Sequence, residues 1–475
     1  MRQGKWLWLS IALLAVTTGL QAQQATDSLP ITLEKAIEIG LSENPTVLIA
    51  DQEIQRMEYM KKEARGNLLP TVSGSGSFTH NIQKQKMFMG GGGFNMGSML
   101  TPLLDWYFQN LPPEYLAPPF PEQESSGSSE PIEVGLRNSV SGGFSLSLPL
   151  FMPTIYKNIR LTEQQILSAV ETARQNKITL ANQIKKSYYG ILLAESSLEV
   201  LRRNIEYAQI TVNDTRNAFE QGIVSEYDLI TAEVQLSNLT PTLIQTENSI
   251  RVARLTLNML LSLPLETRLD LKETLYDFTD SINSAIFGQI DLSDNADLKL
   301  LDIQSDMLDT QLELQRAARM PSLVGIGSYQ VLSQSEKLNI GQFRWLGSSS
   351  VGLQLSIPIF AGFTNKQRES QIKINREQLK LQRDYQEQAL SLEAQTALNN
   401  IEQAHRQMTA NEATRTQAEK GYRISKTRFD VGAGTMVELN NAQMALLQAD
   451  LNYSQSIYDY MSAQADFDRI SGKEN

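Results

Sequence analysis

The chain is written twice, and that duplication governs what it can fold into. Asn44 and Pro70 stand 26 positions apart, as do Asn295 and Pro321. Between those ends Asp51 aligns with Asp302 and Arg65 with Arg316. Further along, Gly143-Phe-Ser-Leu-Ser-Leu-Pro149-Leu-Phe151 matches Gly352-Leu-Gln-Leu-Ser-Ile-Pro358-Ile-Phe360. Later still, Phe219-x-x-Gly222-x-x-Ser225-x-x-Asp228-Leu229 matches Phe429-x-x-Gly432-x-x-Thr435-x-x-Glu438-Leu439. Phe151 precedes Phe219 by 68 positions, and Phe360 precedes Phe429 by 69. Landmarks in one order at matched spacing define two repeats, 23–262 and 295–475, joined by the segment 263–294.

Each repeat holds the same parts. A helical segment comes first, Leu33 to Gly66 in one and Leu298 to Met320 in the other. A β-hairpin follows, at 70–151 and at 321–360. Phe144, Leu146, Leu148 and Leu150 alternate with Ser145, Ser147 and Pro149; Val351, Leu353, Leu355, Ile357 and Ile359 alternate with Gly352, Gln354, Ser356 and Pro358. Strict period 2 gives a strand with one apolar and one polar face. In a soluble sandwich the apolar face meets a second sheet; in an outer-membrane barrel it meets lipid, and the polar face lines water. Four strands are few for a sandwich of this length.

Beyond each hairpin lies a long helix. Tyr188, Ile191, Leu198, Leu201, Ile205, Ala208, Val212, Thr215 and Phe219 recur at coiled-coil spacing. Thr154 to Glu220 has no Pro and one Gly, Gly190. At ~1.5 Å per residue the run reaches about 100 Å. Gly222 and Gly432 then break it, and Ser225 or Thr435 caps a returning helix. This predicts helical hairpins at 154–262 and 363–471, with tips at 219–228 and 429–438.

Composition removes other classes. With 42 Lys+Arg against 53 Asp+Glu the formal charge is −11, the wrong sign for a nucleic-acid surface. There is no Cys, and the two His are His80 and His405, which leaves no thiol chemistry and no Cys/His metal site. His405 reads as a solvated coiled-coil histidine, and His80 ends a strand with no triad pattern around it. The run Gly90 to Gly93 lacks the Gly-Lys-Ser/Thr of a phosphate loop. No catalytic, cofactor or metal residue emerges, so an enzyme is not expected. Arg2 and Lys5 precede an apolar stretch, Trp6 to Gly19, and Ala22 offers a cleavage site, so 1–22 reads as a secretory signal peptide. No Cys follows it to carry a lipid anchor. After residue 22 no run of 18 apolar residues exists.

A four-stranded sheet in lipid leaves two unpaired edges, so it must close, and one chain has too few strands to close alone. Two copies make eight strands with a filled interior, whereas three make twelve with a lumen. Three fits a duct.

With repeats, strands and tips in view, the chain resembles the TolC-type outer-membrane efflux protein family over about 31 to 471. The strand-end motifs around Pro149 and Phe151 and around Pro358 and Phe360 carry the likeness. So do the tips, Phe-x-x-Gly-x-x-Ser/Thr followed by an acidic residue. The resemblance implies an α+β membrane fold of tandem repeats with four transmembrane strands per chain. It further implies a homotrimer sharing a twelve-stranded barrel, a periplasmic coiled-coil α-barrel, and an equatorial belt that includes the inter-repeat segment. Its partners would be a periplasmic adaptor and an inner-membrane RND or ABC transporter, with outer-membrane lipid around the barrel and no nucleic acid or cofactor. Gly222, Ser225, Gly432 and Thr435 would be tip residues touching the adaptor. Asp228 and Glu438 would ring the periplasmic entrance; both also lie in first helical turns, where they would cap.

This chain departs from the best-known member at its second tip. Phe429 replaces a tyrosine, Gly434 an arginine and Asn441 an acidic residue, so that member's closing network cannot be copied here. The first hairpin is also longer. Its loop, 81–140, holds seven prolines from Pro102 to Pro131 and no Lys or Arg between Lys86 and Arg137. By topology it lies outside the cell, and residues 87–136 read as dispensable for assembly. A coiled-coil scaffold or adhesin that transports nothing is the alternative function; its two apolar strand faces would need a soluble partner surface.

Overall fold

Two local rhythms, 3.6 residues and 2 residues, sort the chain into two compact units. The computed structural model describes residues 29–87, 132–279, 291–337 and 344–473. The expected signal peptide, most of the expected loop 81–140 and part of the segment 263–294 lie outside the described residues. The mainly helical unit comprises the chain up to Lys61, Arg160–Leu312, and Arg368 onward; the sheet unit comprises Lys62–Ile159 and Glu313–Gln367.

In chain order the first repeat runs β1 (Leu29–Ile31), α1 (Leu33–Glu43), α2 (Pro45–Gly66), β2 (Thr71–His80), β3 (Gln85–Met87), β4 (Ile132–Val134), β5 (Asn138–Phe151), α3 (Pro153–Glu220) and α4 (Glu226–Leu260). There follow β6 (Leu269–Leu271), a 3-10 turn at Leu275–Phe278, α5 (Ala296–Ala317), β7 (Ser322–Ser335), β8 (Leu346–Ser356), α6 (Thr364–Asp430) and α7 (Met436–Ile470). The long helices α3 and α6 have 68 and 67 residues, and their return helices α4 and α7 have 35 each.

Each repeat of the helical unit is closed by one asparagine. Asn44 accepts from the Thr46 amide at Oδ1 (2.9 Å), capping α2, while its Nδ2 donates to the Leu260 carbonyl at the end of α4 (2.8 Å). Asn295 accepts from the Asp297 and Leu298 amides (2.9 and 3.2 Å), capping α5, and its Nδ2 donates to the Ile470 carbonyl at the end of α7 (2.8 Å). A helix start and a helix end are thus joined through one side chain, satisfying orphan groups of both. Beyond each return helix the chain turns through a left-handed residue, Ser262 (φ 57°) or Gly472 (φ 72°). Glycine is required at the second: a Cβ on Gly472 would stand 2.2 Å from the Asp294 carbonyl oxygen.

The first expected helix, Leu33 to Gly66, is two helices. Asn44 is extended (φ −69°, ψ 128°), as a residue before proline prefers, and Pro45 opens α2. Two short strands were missed altogether: β1 and β6 pair in parallel, Leu29 with Leu269 to Ile31 with Leu271. They flank the main core, which gathers Ile184, Tyr188, Ile191, Leu257, Leu261 and Ile457, all buried. There the Tyr188 hydroxyl lies 2.6 Å from Glu273 Oε2, which also accepts from the Leu33 amide (2.9 Å). Burial, and then the Glu273 carboxylate, push the Tyr188 phenol far above its ordinary range. Farther along, α3 and α7 meet through polar contacts: Ser196 with Ser454 (2.9 Å), and Gln443 donating to the Asn204 carbonyl (3.1 Å).

The sheet unit is built on four antiparallel strands in the order β2-β5-β7-β8. β3 and β4 form a separate short ladder, Gln85 with Val134 to Met87 with Ile132. Ordered backbone therefore enters the stretch read as loop 81–140 from both sides. The second expected strand also ends early, at Ser356 rather than Ile359. β5 keeps a partner through Phe151, opposite Leu323, but β7 starts at Ser322 opposite Ser356, so Ile357 onward has no strand beside it.

The asparagine locks predict a graded stability series. Asn295→Ala removes a cap and strips the Ile470 carbonyl of its donor, costing about 2 kcal/mol. Asn295→Asp keeps the cap acceptor and should cost roughly half of that. Thermal unfolding in detergent checks the order, and equal losses would refute the cap.

Candidate functional site

The four main strands contain no Asp, Glu, Lys or Arg; His80 and Tyr329 are their two titratable side chains. Register sorts their residues onto two faces. One carries Val72, Phe78, Phe144, Leu146, Tyr329, Val351, Leu353 and Leu355, all exposed. Val351 is 93% exposed, far beyond what a core-facing strand shows. The opposite face is hydroxyl-rich. Ser73, Ser145, Ser328 and Ser350 lie side by side across all four strands. Ser73 and Ser145 are hydrogen-bonded (2.6 Å), as are Ser328 and Ser350 (2.8 Å) and, one row over, Ser77 and Ser141 (2.8 Å). Each of these hydroxyls thereby finds a partner across the strands.

Charge returns where the strands end. At the loop end Lys84 pairs with Glu336 (2.9 Å) and Arg137 lies 3.6 Å from the same carboxylate. The Lys84 hydrogen bond holds the Glu336 carboxyl below its ordinary range. Beside them Asn138 donates to the Ser335 and Glu336 carbonyls and accepts near His80 Nδ1 (2.7 Å). At the other end sit the motif residues. Pro149 lies in β5 where the register shifts before Phe151, the irregularity that lets a proline stay in a paired strand. Pro358 and Phe360 lie past β8, where Phe360 meets Phe363 edge-on at 5.5 Å. Gly362 and Phe363 are both left-handed (φ 57° and 60°).

The tips are near copies of each other. Gly222 and Gly432 both adopt φ 75°. Gly222 donates to the Phe219 carbonyl and Ile223 to that of Ala218, both at 2.8 Å; Gly432 and Ala433 repeat the pattern with Phe429 and Arg428. Ser225 and Thr435 are N-caps, and Asp228 and Glu438 complete capping boxes by accepting from the Ser225 and Thr435 amides (3.1 and 3.4 Å). Glu438 has a second partner, Arg428, at 3.6 Å. Arg428 also donates to the Ala433 carbonyl (3.1 Å), so an arginine stands in this tip although 434 is glycine. A Cβ on Gly434 would sit 3.2 Å from Arg428 Cβ and the Phe429 nitrogen, a tight approach. Phe429 is half-buried beside Met436, and Asn441 is exposed on α7. The two hairpins touch through stacked Tyr207 and Tyr422 (5.3 Å) and through Lys426 with Asp214 (3.3 Å).

A profile of the outer membrane efflux protein family matches residues 122–262 and 289–473, more than half of the chain. The chain belongs to that family. It is therefore an outer-membrane protein of a channel family rather than of an enzyme family. The efflux-family chain is 22% identical over 329 residues to the outer membrane protein TolC of Vibrio cholerae, covering 68% of this chain and 74% of that one. It is 25% identical over 327 residues to the alkaline protease secretion protein AprF of Pseudomonas aeruginosa, covering 68% and 67%. The outer membrane channel CmeC of Campylobacter jejuni shares its fold, with a TM-score of 0.68 at 18% identity over 93% of this chain and 85% of that chain.

Sequence reading missed the serine row, which needs the register of all four strands, and the Arg428–Glu438 pair, which needs the turn. His405 is half-buried against Tyr460 (6.2 Å) rather than solvated, because a second helix packs on its face. Among the described residues no group of His, Cys, Asp and Glu could hold a metal, and no helix is long and apolar enough to cross a membrane.

Gly143 is the sharpest steric point of the sheet. A Cβ there would lie 2.4 Å from the Tyr329 carbonyl oxygen, whereas on Gly142 it would meet nothing nearer than Ser75 oxygen at 3.8 Å. Gly143→Ala should cost about 2–3 kcal/mol and lower the folded yield in lipid vesicles, with Gly142→Ala close to the parent. Equal yields for the two variants would refute a tight β5–β7 contact.

Proposed function

We propose that three copies of this chain close one barrel in the outer membrane and serve as the exit duct of a tripartite efflux or type I secretion system. The observation that carries the reading is the sheet: charge-free strands, one exposed apolar face, one hydroxyl face, and unpaired edges at β2 and β8. In lipid those edges must pair. β2 and β8 run in opposite directions, so β8 of one copy meets β2 of the next as an antiparallel neighbour. The apolar face then meets lipid and the serine row faces water. The helical hairpins of three copies form the periplasmic tunnel.

A periplasmic adaptor docks on the tips around Gly222, Ser225, Gly432 and Thr435, delivering cargo from an inner-membrane RND or ABC transporter. Support comes from Ile223, Tyr227 and Val431, large apolar side chains about 70% exposed at turns that need no such surface for folding. Asp228 and Glu438 cap their helices and also ring the entrance, concentrating cations there. The relative whose name describes alkaline protease secretion agrees with an export role.

Conductance in planar bilayers tests the duct; a scaffold would show none. Asp228→Asn with Glu438→Gln keeps the capping acceptors and removes the charge. It should lower cation selectivity several-fold, most at low salt, and unchanged selectivity would refute the ring.

Docking has its own test. Beyond the adjacent residues no atom lies within 4 Å of a Cβ on Gly222 or Gly432, so a larger residue there strains only the left-handed backbone, by about 1 kcal/mol. Gly432→Arg should give normal oligomers in the outer membrane, lost cross-linking to the adaptor and lost export. Normal export by both Gly222→Arg and Gly432→Arg would sink the docking assignment.

A further inference from the structure

At the ends of the strands that meet helices, every strand is flanked by a large exposed apolar side chain and a basic residue. β2 is preceded by Arg65 and Leu69, and β5 is followed by Tyr156 and Lys157. β7 is preceded by Arg319 and Met320, and β8 is followed by Phe360, Phe363 and Lys366. Arg65, Arg319 and Lys366 are exposed. The flanks 62–70, 152–159, 313–321 and 357–367 hold six basic residues against two acidic, Glu63 and Glu313, and Glu313 is spoken for by Lys157 at 2.7 Å. The whole chain leans the other way, with 42 basic against 53 acidic. These flanks run against that balance.

Resting on the barrel reading, we propose that this collar is a binding surface for anionic phospholipid headgroups in the leaflet at the helix-bearing ends of the strands. The collar continues the uncharged apolar face of Leu146, Leu353 and Leu355, so its apolar members enter the bilayer where that face ends. Aromatic rings and cations immediately past a lipid-facing span are the chemistry of the headgroup layer: rings settle at the interface, and long basic side chains reach the phosphates. Anionic lipid adds the charge complement. Each cation near such a surface strengthens binding roughly five-fold. A soluble protein partner would leave unexplained why the same pairing recurs at all four strand ends.

The full chain, reconstituted in vesicles of equal parts phosphatidylcholine and phosphatidylglycerol and re-extracted in mild detergent, reports the answer through its retained lipid. Phosphatidylglycerol should be enriched several-fold over phosphatidylcholine, less so at high salt. Arg65→Gln, Arg319→Gln and Lys366→Gln combined should bring the ratio to that of the bulk, while Arg65→Lys with Arg319→Lys keeps the enrichment. Protein that inserts and conducts yet retains both lipids equally, or a triple variant as enriched as the parent, overturns the proposal and leaves the channel standing. Protein that fails to insert in either lipid overturns the channel reading and takes this proposal with it.

Discussion

A backbone amide in hydrocarbon has no water to turn to, and that single constraint arranges the sheet of this molecule. β5 and β7 satisfy both of their sides within the chain; β2 and β8 satisfy one. The strands are otherwise stripped of anything that would resist lipid. They carry no carboxylate, ammonium or guanidinium, and most of their hydroxyls lie on one face, where several bond to one another across the strands. The positions that depart from strand regularity are the ones at its ends, where Pro149 sits at a register shift and Phe363 takes a left-handed backbone.

The helical unit answers a different problem, how to keep helices of 68 and 67 residues in register with returns of 35. Its solution is the asparagine lock, present once in each repeat. Around the locks the repeats have drifted. Ser262 does in the first what Gly472 does in the second, and Asp51 faces Lys177 (3.7 Å) where its counterpart Asp302 faces Arg383 (2.6 Å). What survived duplication is the polar join and not the particular side chains around it.

Much of this was legible in the sequence because it rests on local rules. The alternation at Phe144 to Leu150 lies inside β5, and the glycines at 222 and 432 stand where a left-handed turn follows a helix. What was not legible depends on distant pairing. Three-residue strands such as β1 and β6 have no period to read, and each exists because the other lies 240 positions away, as Leu29 and Leu269 show. The early end of β8 follows from where β7 begins, and the Arg428–Glu438 pair from a turn that folds one onto the other. The roles of Asp228 and Glu438 divide in the same way: the cap is a local fact of the turn, whereas the proposed ring of charge would belong to several chains at once.

The opposite headings of β2 and β8 carry a consequence for how such a protein can arise. A ring made from identical chains stays antiparallel throughout only if each chain brings an even number of strands; an odd number would force a parallel seam at every junction. A single hairpin already has even parity, and doubling it preserves that parity whatever else diverges. In the proposed barrel, copying the gene segment changes how many chains complete the circle without disturbing the rule by which neighbours join. Loss or gain of one strand would break that rule at every seam simultaneously.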